Sequence, residues 1–103
     1  MIEFEEGHHT YYIYILTNKT KTVLYTGLTN HLKIRLEQHK DSLNPNSFTA
    51  KHNVHFLIYY EKFTWIQLAI AREKEIKGWK REKKIELIKT INPEFKFLNY
   101  LFE

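Results

Sequence analysis

The sequence predicts an α+β domain: a small three-stranded antiparallel sheet flanked by helices, in the order β-β-α-β-α-α. Three observations predict it. Runs rich in β-branched and aromatic residues stand at 11–16, 23–26 and 54–60, the composition of pleated, half-buried strands. Apolar residues recur at helical spacing in the stretches after the second and third runs. The chain has 103 residues, enough for one hydrophobic core and too few for a second.

The opening MIEFEEGHHT is acidic and carries no strand or helix pattern, so residues 1–10 are expected to be an extension. Tyr11 to Leu16 forms the first strand, the polar NKTKT a short connection, and Val23 to Thr26 the second strand of a hairpin. Thr29 or Asn30 can cap the helix that follows, in which Leu32, Leu36 and Leu43 form a stripe. Asn44-Pro45-Asn46-Ser47 ends it, because proline cannot continue the hydrogen-bond ladder. Val54 to Tyr60 is the third strand. A second helix spans Trp65 to Lys77 and stops at Gly78, and a third spans Arg81 to Thr90 and stops before Asn92-Pro93. The domain is expected to occupy residues 11–98, with 99–103 as a tail.

Composition narrows the function classes. A content of 43% hydrophobic and 27% charged residues belongs to globular domains and not to disordered chains. No apolar run approaches the roughly 20 residues needed to cross a bilayer, so no membrane partner is expected. The start lacks the basic and then apolar pattern of a secretory signal, which makes the cytoplasm the expected location. The chain has no cysteine, which excludes disulfides, zinc–thiolate sites and thiol nucleophiles.

The net charge of +4 is unevenly spread. Eight of the sixteen Lys and Arg residues fall between Ala71 and Lys89, against four Glu. Lys77, Lys80, Arg81 and Lys84 in this segment are the candidate phosphate-facing residues, the alternative being a solvated helix with Glu and Lys interleaved.

Several further residues do not fit a purely structural part. On a helical wheel Ile66, Ala69, Ile70 and Ile76 all lie within about 60° of Glu73, which puts a carboxylate in the middle of an apolar face while Glu75 points away. Such a group needs a cation, a set of donors or an edge open to water; a metal ion and an ordinary ion pair both satisfy it. Arg35 borders the stripe of the first helix, where it offers two parallel donors to a phosphate or drapes its stem over the core and pairs with Glu37 or Glu73. His39, one turn on, reads as a proton carrier, a phosphate donor or a surface histidine. Strand alternation puts Tyr14 and Tyr25 on one face of the hairpin, where paired phenols serve packing as readily as chemistry. Gly27 permits positive φ or close backbone approach at the strand-to-helix junction.

The order and spacing of these features resemble the GIY-YIG nuclease superfamily. Tyr12-Ile13-Tyr14 stands where the first motif falls, and Tyr25-Thr26-Gly27, after ten intervening residues, where the second falls. The run from Gly27 through Arg35 to His39 resembles the G-x-T-x-x-L-x-x-R-x-x-x-H pattern of small single-domain bacterial members related to the excision-repair endonuclease subunit. Tyr59-Tyr60-Glu61, Ala69 to Lys84, Leu87-Ile88 and Asn92-Pro93 resemble the remainder, so the likeness spans residues 11 to 98. Tyr12 replaces the first motif's glycine and Thr26 the second motif's isoleucine.

Matched position by position, the resemblance implies that Tyr14, Tyr25, Arg35, His39 and Glu73 are catalytic and that Glu73 is the metal ligand. It implies Mg²⁺ or Mn²⁺ as cofactor and a nucleic-acid substrate, DNA ahead of RNA, cleaved with low sequence specificity in repair or processing. Tyr14, Tyr25 and His39 all stand as candidates for the general base. Two other readings compete: a domain that binds nucleic acid without cutting it, and a protein-interaction module presenting Trp65, Trp79 and Tyr59-Tyr60. Monomer and homodimer are both open.

Overall fold

The computed structural model describes residues 10–41 and 46–103. Three strands, β1 (Tyr11–Thr17), β2 (Leu24–Thr29) and β3 (Phe56–Phe63), form one antiparallel sheet in the order β2-β1-β3. Helix α1 (Leu32–Asp41) follows the hairpin, a single turn α2 (Phe48–Lys51) precedes β3, and α3 (Ile66–Lys77) and α4 (Arg81–Lys89) follow it. The chain is an α+β protein of order β-β-α-β-α-α, with the short α2 inserted before the third strand. Leu43 and Asn44-Pro45, read from the sequence as the end of the first helix and its break, lie outside the described residues. Among the described residues no helix is long and apolar enough to cross a membrane.

The central strand β1 is buried on both faces, and its alternation sorts the core into two halves. Ile13 and Ile15 point to one side, where Ile58, Ala69, Ile76 and Ile88 bury them under α3 and α4. Tyr14 and Leu16 point to the other, against Leu32 and Leu36 of α1 with Val54 and Leu57. The period of two thus gives one strand two different neighbours. A register irregularity between Ile15 and Leu16 in the β1–β3 pairing shifts β3 by one residue at this level, as a bulge does.

The connection between β1 and β2 is organised by Asn18. Its side-chain oxygen accepts from the backbone N–H groups of Thr22 (2.8 Å) and Val23 (3.1 Å), an Asx-type turn, and Lys21 takes a left-handed backbone within it (φ 61°). At the other edge, residues 99–103 fold onto the sheet. The Asn99 side chain accepts from Leu57 N–H at 2.8 Å and donates to the His55 carbonyl at 3.1 Å, occupying backbone groups that edge strand β3 would otherwise leave open. Phe102 packs edge-on against Tyr12 and Tyr60. Asn92, the residue before the proline that stops α4, is buried and donates to the carbonyls of Ile58 and Lys96, both at 2.9 Å.

Candidate active site

Tyr14 and Tyr25 meet on the α1 face of the hairpin. In the register, Tyr14 pairs with Gly27 and Leu16 with Tyr25, so the two phenols are diagonal neighbours with ring centroids 6.5 Å apart. Gly27 makes room for this. Its φ is not positive and it lies inside β2, not at the strand-to-helix junction. A Cβ built on it would fall 2.9 Å from Tyr14 Cε1 and closer still to Cζ and the hydroxyl. Its purpose is clearance: the fully buried Tyr14 side chain lies across the backbone of β2.

Helix α1 supplies the next two groups. His39 Nε2 lies 3.2 Å from the Tyr14 hydroxyl, and its ring stands edge-on to both Tyr14 (5.9 Å) and Tyr25 (5.8 Å). Arg35, one turn earlier, brings its positive charge to bear on the Tyr14 phenol and lowers it. It makes no ion pair among the described residues, so the predicted alternatives of Glu37 and Glu73 as its partners do not form.

Electrostatics fix the protonation of this cluster. Burial pushes the Tyr14 phenol up to about 12, reinforced by Tyr25 and opposed by Arg35. Burial also draws His39 down to about 4, with the charges of Arg35 and His55 acting in the same direction. Near pH 7 the pair is therefore a neutral phenol and a neutral imidazole. The other ring nitrogen, Nδ1, faces Thr49 Oγ1 at 3.0 Å, so the neutral imidazole donates to one hydroxyl and accepts from the other.

Thr49 and Phe48 were not singled out in the sequence. Both come from α2, whose N-cap Ser47 accepts from Ala50 N–H at 3.2 Å and whose hydroxyl lies 3.2 Å from Thr49 Oγ1. Phe48 stacks on Tyr25 at 6.1 Å with 21° between planes. Four residues carry no detectable periodicity, and the only local signal for this turn was the capping serine.

Glu73 lies on α3, which packs on the opposite face of the sheet and touches β2. Its charge reaches Tyr14, where it raises the phenol slightly. The expectation that it sits in the middle of an apolar face is corrected. The covered line of α3 runs along Ala69 and Ile76, whereas Ile70 is 39% exposed. Glu73 therefore occupies the shoulder of the helix, with a side chain 19% exposed and an ion pair to the exposed Lys77 at 3.3 Å.

Among the described residues, no three His, Asp or Glu side chains converge as a metal-ligand set. A single hard carboxylate, held only by a surface lysine, fits Mg²⁺ or Mn²⁺, ions that retain most of their waters. It does not fit a zinc site, which takes three or four protein ligands. Of the predicted phosphate-facing residues, Lys77 adjoins Glu73. Lys80 is exposed as the N-cap of α4, and Arg81 is exposed with a hydrogen bond to the Lys21 carbonyl at 3.1 Å. Lys84 is half-buried one turn further along α4.

Fold and site together define a GIY-YIG catalytic domain. The model of that family matches residues 10–86, and the chain belongs to it. Within the family it is similar to proteins named UPF0213. One from Syntrophus aciditrophicus is 35% identical over 83 residues, covering 81% of this chain and 93% of that protein. Another from Staphylococcus aureus is 36% identical over 66 residues, 64% of this chain and 79% of that one. The solution NMR structure of the UPF0213 protein BH0048 from Bacillus halodurans shares the fold, with a TM-score of 0.54 at 24% identity, covering 84% of this chain and 89% of that one.

Proposed function

We propose that the protein is an endonuclease that hydrolyses nucleic-acid phosphodiester bonds with the help of a divalent metal and with low sequence specificity. The observation that carries this reading is Arg35: a half-buried guanidinium without a carboxylate partner among the described residues, held beside two phenols. An uncompensated cation in such a place is complementary to a phosphate.

Arg35 binds the phosphoryl oxygens and stabilises the charge that grows on them. The Tyr14–His39–Thr49 chain holds the Tyr14 phenol in place beside Arg35, and it stays neutral near pH 7. The Tyr25 hydroxyl has no hydrogen-bond partner among the described residues, which leaves it available to orient the attacking water and take its proton. Taking that proton requires the phenolate form of the side chain. Glu73 is the residue that holds the metal, and a bound Mg²⁺ or Mn²⁺ supplies charge neutralisation at the leaving oxygen. Base-reading elements are few in a lone catalytic core, which is the reason to expect low sequence specificity.

The test is cleavage of end-labelled DNA and RNA, single-stranded and duplex, with Mg²⁺ or Mn²⁺ and with chelator. Metal-dependent strand scission lost in Glu73→Ala and Tyr25→Phe is the expected result. Full activity in Tyr14→Phe, Tyr25→Phe and His39→Ala alike overturns the assignment, and tight binding without scission turns the domain into a non-catalytic binder.

A further inference from the structure

Phe48 is 48% exposed, yet it is not loosely placed. It is the first residue of α2, behind the Ser47 cap, and its ring is held between Tyr25 at 6.1 Å and His52 at 4.4 Å. The rings form a graded series. Tyr14 is fully buried, Tyr25 half-buried, and Phe48 and His52 are exposed, so an aromatic surface leads outward from the proposed reaction centre. Holding half a phenyl ring in water forgoes its burial. Lys51, between the two exposed rings in sequence, is itself exposed and cationic. An aromatic surface alternating with a basic residue suits a nucleotide chain, whose bases stack while its phosphates pair.

We infer that Phe48, flanked by Tyr25 and His52, is a stacking platform for an unpaired nucleobase next to the scissile phosphate, which makes the substrate class single-stranded or locally splayed nucleic acid. The inference rests on the proposed hydrolase reading, because that reading places a phosphate at Arg35 and Tyr25. A nucleotide bound there carries its base to within one nucleotide's reach of Phe48. Bases inside a duplex are stacked on one another and show only their edges in the grooves, so a ring fixed in this position finds no π-face to meet unless the base has left the helix.

The experiment measures binding apart from turnover. The full chain is titrated in chelator against fluorescein-labelled oligothymidylate, the same strand with abasic positions, and a blunt duplex, using native protein, Phe48→Ala and Phe48→Trp. Native protein is expected to favour the intact single strand over the duplex. Phe48→Ala is expected to lose about tenfold in single-strand affinity, the scale of one base–aromatic stack, while duplex binding stays the same. Phe48→Trp is expected to keep the affinity, and abasic positions to reproduce the Phe48→Ala loss on the unmutated protein, which separates stacking from any disturbance of Tyr25. Equal binding of abasic and intact strands, or equal loss on single strand and duplex, overturns the inference. Phe48-dependent single-strand binding without metal-dependent scission supports the platform and removes the hydrolase.

Discussion

Two tyrosine clusters lie on opposite faces of the sheet, and comparing them shows what distinguishes a reactive site from a structural one. On the α3 face the Tyr59 hydroxyl donates to Glu61, and Arg72 grips the same carboxylate through Nε (2.9 Å) and Nη2 (2.9 Å) while reaching Glu75 at 2.7 Å. Burial raises the Tyr59 phenol, helped by Glu61. Desolvation works to raise Glu61 too, yet the hydrogen bonds of Arg72 and Tyr59 hold its carboxyl below the ordinary range. Each charge in that cluster touches an opposite one, the two carboxylates sharing Arg72. On the α1 face the phenol is raised by the same burial, but its partner is a neutral imidazole and its arginine has no carboxylate among the described residues. Both clusters pair a buried phenol with an arginine, and the difference is a missing anion.

Removing each arginine gives the sharpest test of that contrast. Arg35→Ala is expected to lower phosphodiester cleavage by about 10²–10³-fold, the scale for losing one transition-state donor, with thermal stability unchanged or slightly higher. Arg72→Ala is expected to leave cleavage by the folded protein intact and to cost about 2–3 kcal/mol, because Glu61 keeps a part-buried charge without its fork. Kinetics and thermal melts on both variants measure the two effects, and a reversed pattern removes the distinction between the clusters.

Acid separates the clusters on a finer scale. His39 binds a proton at about 6.5 when unfolded and at about 4 when folded. Between those values the unfolded chain holds more protons, so stability falls as pH is lowered from 6.5 toward 4. Glu61 acts at lower pH. Its folded pKa is depressed, so its contribution is present above the unfolded value of 4.5 and is lost as pH falls through the folded one. Urea midpoints from pH 7 down to 3 are expected to show an upper limb from His39 and a lower one from Glu61. His55, also lowered by burial, adds to the upper limb, so His39→Gln is expected to flatten that limb without erasing it.

The smallest effect concerns Thr26, whose buried Oγ1 has no hydrogen-bond partner among the described residues. It stands where the motif has an isoleucine, on the face of β2 shared with the structural cluster. Thr26→Val is expected to stabilise the protein by about 1 kcal/mol without changing cleavage. A loss of cleavage in this variant measures coupling through the sheet.

The strands and long helices were legible because each carries a period. Tyr11 to Leu16 and Leu24 to Thr26 pair in the predicted hairpin, although the second strand begins at Leu24 and not Val23 and runs on to Thr29, and α3 and α4 fall within a residue of their predicted limits. The third strand runs later than its apolar run, from Phe56 to Phe63. Glu61-Lys62-Phe63 continue the ladder against Tyr11–Ile13, a pairing that polar side chains do not announce. At the candidate site, Tyr14, Tyr25, Arg35 and His39 were assigned by the family resemblance, where pattern alone left packing roles open, and the structure brings these four together. Thr49 was invisible because its contact with His39 spans a turn whose path no local pattern encodes. Glu73 was misplaced on its helix because a wheel weighs apolar residues equally and cannot know that Ile70 faces water.

The hollow that Gly27 leaves beneath the Tyr14 phenol also acts as an alignment gauge. Sliding β2 by two residues would keep the same faces inward but would set Tyr25 or Thr29 under the ring, where a side chain has no space. A slipped hairpin is rejected by the same ring that the reaction centre is built around, so correct strand registration and assembly of the reactive groups become a single folding event.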